Sequence, residues 1–187
     1  RLEIRKLLRD LHQSGGMGFI HVTHDFAEAL ALGSSMAIMQ AGRIVQKGPA
    51  MEVFLRPASR FAAEFLCGEN LVPGAVSRSQ GQTWFSVREG PLLGPLPDNV
   101  PSGPALGLIR ASQLRLEPAS DSLSPANSWA AVIADIVVNG THVEVFCQGG
   151  GHWQISIALA AWRSLSLTPG ATVTLAVHPE HLHVIPE

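Results

Sequence analysis

The pair His24-Asp25 is the first place in the sequence where residue types and spacing could do chemistry. It follows the apolar run Met17 to Val22 and precedes the helical pattern FAEALALG. An imidazole titrates near neutrality, so one fixed at the end of a strand can orient a water molecule or move a proton. Asp25 is equally suited to cap the helix, and on the pair alone a polar loop residue beside a cap is the plainer reading. A second group, His178, His181 and His183 with His152 as an outlying member, could capture a metal. Alternation would place His181 and His183 on one strand face, where exposed edge-strand histidines are the plainer account. His21 falls within the apolar run and His24 in a loop, so a metal shared by the two is not expected. Trp84, Trp129, Trp153 and Trp162 could stack on nucleic-acid bases, yet no basic groove accompanies them and core positions suit them better. No motif supports a serine or cysteine nucleophile.

The elements that must hold these residues can be read from periodicity. RLEIRKLLRDLHQSGG places Leu2, Leu7, Leu8 and Leu11 on one helical face, and Gly15-Gly16 supplies a left-handed stop. Met17 to Val22 is short and partly β-branched, as a buried strand would be. Ligands of open α/β sheets sit beyond the carboxyl ends of the strands, so the His24 ring would face such a crevice. Asp25 caps the next helix, which Gly33 ends, and SMAIMQ and RIVQKG form a hairpin through Ala41-Gly42. Pro49 opens a short helix through Met51, Val53 and Phe54, and another runs from Phe61 to Leu66. The order is that of an α/β unit with an antiparallel margin.

From about Glu69 the texture changes. LVPGAV, TWFSV, PLLGPLP, ALGLIR and LRLEP alternate with turn residues, Pro118 to Asn127 is a polar loop, and AAVIADIVVNG, HVEVFCQG, HWQISI and ATVTLAV follow. A short helix is expected at Ala160 to Leu165. Short strands at close spacing indicate a small barrel or sandwich. The expected domains are 1–68 and 69–187, and no internal repeat is strong enough to rest on.

Composition limits the choices. Of the 187 residues 46% are hydrophobic and 15% charged, ample for a packed core. A net charge of -2 argues against nucleic acid or an anionic membrane as partner. The two cysteines, Cys67 and Cys147, lack metal-ligand spacing and fit a reducing compartment. No apolar run approaches the roughly 20 residues needed to span a bilayer, and the chain reads as cytoplasmic. It begins at Arg1 within an amphipathic pattern, so a natural start upstream is expected.

The stretch GFIHVTHDFAEALALGSSMAIMQAGRIVQKGPAMEVFLRPASRFAAEFLCGEN resembles the end of the nucleotide-binding domain of ABC importers. The match runs from Thr23-His24-Asp25 through Glu28-Ala29-Leu30, Gly42-Arg43-Ile44 and Pro49 to Arg56-Pro57, Phe61 and Phe65. The resemblance implies that His24 is the switch histidine contacting the γ-phosphate of ATP, and that Asp25 lies at a subunit interface. No G-x-x-x-x-G-K-[ST] phosphate loop, Leu-Ser-Gly-Gly-Gln signature or apolar strand ending in Asp-Glu occurs in the sequence. In ABC importers these precede the helix that RLEIRKLL resembles. ATP and Mg are therefore implied for a longer parent protein, and this chain is expected to bind no cofactor and to be inactive alone.

The second half resembles the TOBE type of OB-like domain found after the ATPase in importers of oxyanions, iron, sugars and polyamines. The resemblance rests on Asn70-Leu71 with Gly74, LGLIRASQLRL, the SPANSW block, AVIADIVVNGTHVEVFCQGG and LSLTPGATVTLAVHPEHLHVI. Ser124 to Asn127 and the Pro169-Gly170 spacing are most similar to the molybdate and tungstate branch, which implies an oxyanion site at Ser124, Asn127 and His178. That branch carries Arg at the position of Ala126 and Lys-Ser-[AT] at His178-Pro179-Glu180. Both departures remove cationic donors. The fold class implied is an incomplete P-loop-type α/β domain followed by an all-β OB-like barrel. The function implied is the C-terminal part of an importer ATPase, peripheral on the inner face of the membrane, with a homodimeric ATPase and permease subunits as partners. Subunit contacts are expected along Ala27 to Leu32 and Met51 to Leu55. The alternatives are a stand-alone oxyanion-binding module and, against the acidic balance, a nucleic-acid-binding OB domain.

Overall fold

A computed structural model of the chain describes residues 18–66, 69–119 and 126–187. The amphipathic pattern through Leu2 to Leu11, and Met17, Cys67 and Ser124, lie outside the described residues. Two compact units divide between Ala62 and Ala63.

In the first unit Asp25 caps helix α1 (Phe26–Leu32) by accepting the Glu28 N–H, and the Gly33 N–H returns to Ala29. Strands β1 (Ser35–Gln40) and β2 (Arg43–Pro49) pair antiparallel. Both residues of their turn, Ala41 and Gly42, have positive φ, the left-handed geometry that matches strand twist in a two-residue hairpin. Helices α2 (Ala50–Leu55) and α3 (Arg60–Phe65) follow. Ile38, Ala50 and Val53 are buried, and Phe26 stacks on Phe54 at 5.8 Å. The Gln46 amide ties down the segment after α2, bonding Arg56 O at 2.9 Å and the Ala58 N–H at 2.8 Å.

One expectation fails here. Residues 18–22 form no strand, and Ile20 and Val22 are 97% and 91% exposed. A strand requires a neighbouring ladder to satisfy its backbone. Among the described residues no β-ladder includes this segment, and β1 and β2 pair with each other.

The second unit is built of β-strands: β3 (Asn70–Ser79), β4 (Gln82–Val87), β5 (Leu92–Leu96), β6 (Gly103–Ile109), β7 (Leu114–Pro118), β8 (Ser128–Asn139), β9 (His142–Gln148), β10 (His152–Ala158), β11 (Thr172–Val177) and β12 (His183–Pro186), with helix α4 (Leu159–Leu165) before β11. They form two five-stranded sheets, ordered β12-β6-β3-β4-β5 and β7-β11-β8-β9-β10. The expected barrel is thus one motif used twice. Each half sets four consecutive strands in the order fourth-first-second-third, the Greek key. The fifth strand is exchanged: β7 follows the first half but pairs with β11, and β12 follows the second but pairs with β6. A 3-10 turn precedes each exchanged strand, Ala111–Gln113 before β7 and Pro179–His181 before β12.

The repetition is visible in sequence once the registers are aligned. Ile109-Arg110-Ala111-Ser112-Gln113-Leu114 corresponds to Val177-His178-Pro179-Glu180-His181-Leu182. Val76 faces Phe85 as Ile133 faces Cys147, so the buried pair Thr83, Phe85 corresponds to Val145, Cys147. One core takes side chains from both sheets, including Phe85, Ile109, Trp129, Ile133, Trp153 and Leu175. The back of β6 is also covered, Leu106 and Leu108 packing with Ala63 and Ile185.

The halves differ at two points. β8 bulges at Ala134, between Ile133 and Asp135. The extra residue switches the inward positions from Trp129, Ala131 and Ile133 to Ile136, which packs against the core. The first half is closed by Phe85, whose ring lies where a Cβ on Gly74 or Gly107 would stand 2.6 Å away. In the second half the counterparts of Phe85 and Gly107 are Cys147 and Leu175, the large and small partners reversed.

Candidate functional site

The loop before α1 is held by a local network. Thr23 Oγ1 accepts the Asp25 N–H and donates to Glu28 Oε2, both at 3.0 Å, and His21 Nε2 lies 3.2 Å from the same carboxylate oxygen. Asp25 Oδ1 accepts the Glu28 N–H at 3.0 Å. Thr23, Asp25 and Glu28 therefore fix the backbone on both sides of His24 and leave its ring exposed. Sequence reading found the cap but missed Glu28 as the hub. An acidic residue three positions after a cap is the available signal.

In the second unit two asparagines occupy equivalent positions at the start of the two halves. Asn70 donates from Nδ2 to Ile109 O at 3.1 Å and Gln154 O at 2.9 Å, while its Oδ1 accepts the Gln154 N–H at 2.7 Å. Asn127 likewise engages both backbone groups of Gly94, accepting its N–H at 2.8 Å and donating to its carbonyl. Each side chain thus acts as one more strand residue, tying the first strand of its own half to the third strand of the other. Asn127 holds a left-handed φ of 63°, a conformation asparagine tolerates.

Among the residues expected at an oxyanion site, Asn127 accepts at its backbone O the N–H of Val177, the residue before His178, at 2.9 Å, while its side chain is taken up by Gly94. His178 Nδ1 and His181 Nε2 lie 3.5 and 3.8 Å from Glu180 Oε1, with ring centroids 5.9 Å apart. His181 ends the 3-10 turn and His183 opens β12, so the expectation that they share a strand face is not met. The turn takes the residues that alternation would have given to the strand. No group of three or more potential metal ligands occurs among the described residues.

The equivalent of His178 is Arg110. It is 5% exposed, donates to Leu66 O at 3.0 Å and lies 3.7 Å from Glu69 Oε2. A cleft of about 190 Å³ runs from Glu69 across Phe146, Gln148, His152 and Gln154, with the bulge residue Ala134 on its wall. Behind it Cys147 is buried, and desolvation raises its thiol to about 11. That keeps it protonated and unreactive at neutral pH. Trp129 and Trp153 lie in the core with centroids 4.6 Å apart.

Residues 107–185 match the TOBE domain family. The chain is 35% identical over 170 residues to the Fe(3+) ions import ATP-binding protein FbpC of Streptomyces avermitilis, covering 90% of this chain and 45% of that protein. It is 36% identical over 151 residues to the spermidine/putrescine import ATP-binding protein PotA of Pseudomonas fluorescens, covering 79% and 40%. The chain therefore spans less than half the length of these relatives. In fold it is similar to the cytoplasmic molybdate-binding protein ModG, with a TM-score of 0.54 at 18% identity over 64% of this chain and 97% of that one. The chain carries a TOBE domain and is homologous to the ATP-binding subunits of ABC importers.

Proposed function

We propose that these residues are the C-terminal part of an importer ATPase that couples ATP hydrolysis to solute uptake from the cytoplasmic face of the membrane. The observation carrying this reading is the exposed His24, on a loop pinned by Thr23, Asp25 and Glu28, in a chain homologous to import ATP-binding proteins. In this reading His24 reaches the γ-phosphate of ATP, and Asp25 caps α1 at a contact with a second ATPase subunit. ATP and Mg are held by parts of the longer protein, and permease subunits receive the motion. Among the described residues no helix is long and apolar enough to cross a membrane.

For the barrel we propose an oxyanion, molybdate or tungstate first, at Ser124, Asn127 and His178. This rests on the SPANSW block and on the fold shared with ModG. The relatives' own names point to iron and polyamines as other cargo classes for the transporter. The alternative is that the barrel works as an oxyanion-binding module without the ATPase.

The ATPase reading is tested by His24→Ala in the full-length subunit. ATP turnover is expected to fall about 100-fold or more, the usual contribution of a positioned proton-transfer group. Unchanged turnover would sink the role. Molybdate titrated calorimetrically into the 187-residue chain, with sulfate as control, tests the barrel. Heat with molybdate alone supports the site, and none with either anion removes it.

A further inference from the structure

The cleft beside Glu69 takes no part in either site proposed above. Much of its lining comes from the outer face of the β9-β10 hairpin, where Phe146 opposes Gln154 and Gln148 opposes His152. Alternation puts these four side chains on one face, because Val145, Cys147, Trp153 and Ile155 between them are buried in the core. Two features make the space. The bulge in β8 sets a small residue, Ala134, on the wall. The Asn70 clamp on Gln154 places Glu69 beside β10, the edge strand of its sheet. The volume of about 190 Å³ is several times the roughly 30 Å³ that one water occupies in the liquid.

The groups around this space ask for positive charge. Glu69 Oε2 lies 3.7 Å from Arg110 Nη1, too long for a hydrogen bond, and that nitrogen donates to Leu66 O at 3.0 Å. Oε1 of Glu69 is left to accept from a ligand. Gln154 gives its Nε2 to Glu144 Oε2 at 3.4 Å, so its Oε1 is the group it has to offer. Glu144 adds a second carboxylate on the same face, and Phe146 the negative face of an aromatic ring. Among the described residues no lysine or arginine lines the cleft. An anion would meet two carboxylates here, and an apolar ligand would leave the acceptors unpaired. A metal ion is poorly served, since no group of three or more potential ligands occurs among the described residues.

We propose that this cleft binds a small organic cation of the guanidinium class. A guanidinium is planar, stacks on an aromatic face and carries only donors. That matches one ring, one carboxylate and the side-chain oxygens of Gln148 and Gln154. Glu69 precedes the first strand of the first half, whereas Phe146, Gln148 and Gln154 belong to the second. A ligand held by both ties the halves together and stabilises the barrel. The site is opposite in charge to the proposed oxyanion site and independent of the ATPase reading.

The test is calorimetric titration of the whole 187-residue chain with methylguanidinium at constant ionic strength. The pH is held at about 8, above the range in which an ordinary imidazole gains charge. Urea serves as the neutral isostere and tetramethylammonium as a cation without N–H donors. Saturable heat in the millimolar range is expected with methylguanidinium and with neither control. The side-chain amide resonances of Gln148 and Gln154 should shift along the same saturation curve. Glu69→Gln should weaken binding about tenfold or more. Gln148→Lys sets a tethered ammonium in the cleft from an exposed position and should abolish it. Glu117→Gln, an exposed carboxylate on β7 outside the cleft, should change nothing. Glu69→Gln also takes a carboxylate from beside the buried Arg110, so circular dichroism checks its fold, and Gln148→Lys decides the matter if that variant unfolds. No saturable heat with methylguanidinium, equal heat with either control, or unmoved Gln148 and Gln154 amides overturns the proposal. So does binding indifferent to Gln148→Lys or to a folded Glu69→Gln.

Discussion

The two halves of the barrel share a scaffold and spend its polar positions differently. In the first half Asn70 and Arg110 are buried, and both close the structure, one onto Gln154 and the other onto Leu66 and Glu69. In the second half the equivalent Asn127 is partly exposed and His178 is 58% exposed. The buried pair serves folding. Asn127 serves it too, through its clamp on Gly94, and of the four side chains His178 is the one left largely to solvent.

The largest contrast should appear at the cation positions. Arg110→Ala removes a buried charge with its carbonyl and carboxylate partners and should destabilise the barrel by about 3 kcal/mol. His178→Ala, at the equivalent exposed position, should fall within about 0.5 kcal/mol of wild type. Urea unfolding followed by the fluorescence of Trp129 and Trp153 measures both. Equal losses would mean that the halves are built alike after all.

The reversed packing of the halves gives the next test. Gly107→Leu forces a side chain into the space of the Phe85 ring and should cost about 3 kcal/mol. Adding Phe85→Cys imitates the second half, which has Cys147 and Leu175 at these positions. The double variant should be more stable than the sum of the single effects by about 1 kcal/mol or more. Strict additivity would show that the correspondence lies in topology without reaching the packing.

A smaller difference is expected between the asparagines. Asn70→Ala gives up three hydrogen bonds in a buried place and should cost about 2 to 3 kcal/mol, and Asn127→Ala about 1 to 2. If Asn127→Ala costs more, the second half depends on its clamp as much as the first does.

Much of this was legible in the sequence because it is local. The Asp25 cap, the Ala41-Gly42 turn and the short strands all follow from propensity and spacing over a few residues. The Thr23-His24-Asp25 loop was legible through its whole ordered surroundings, never through the pair alone. What escaped notice is set by distant partners. The strand expected over Met17 to Val22 has an apolar pattern but no ladder among the described residues. The duplication escaped because Arg110 and His178, or Phe85 and Cys147, share positions without sharing residue type. Only the registers of β6 with β3 and β11 with β8 make the equivalence visible. The exchange of β7 and β12 is a matter of topology that no periodicity encodes.

The subtlest contrast lies between Phe85 and its counterpart Cys147, both buried. Burial raises the Cys147 thiol to about 11 from the ordinary 9.0. Below pH 9 the thiol is protonated in both the folded and unfolded chains and adds no pH dependence. Between pH 9 and 11 the unfolded chain loses this proton while the folded chain keeps it, so the unfolded state gains and stability falls as pH rises. Cys147→Val, which keeps an apolar side chain but no thiol, has nothing to lose. The difference in stability between wild type and Cys147→Val should therefore be flat from pH 7 to 8.5, then move against wild type by about 2 kcal/mol toward pH 11. Cys67 and the lysines are common to both proteins and cancel in the difference. A flat difference across the whole range would mean that the Cys147 thiol reaches solvent in the folded chain through the cleft it lines.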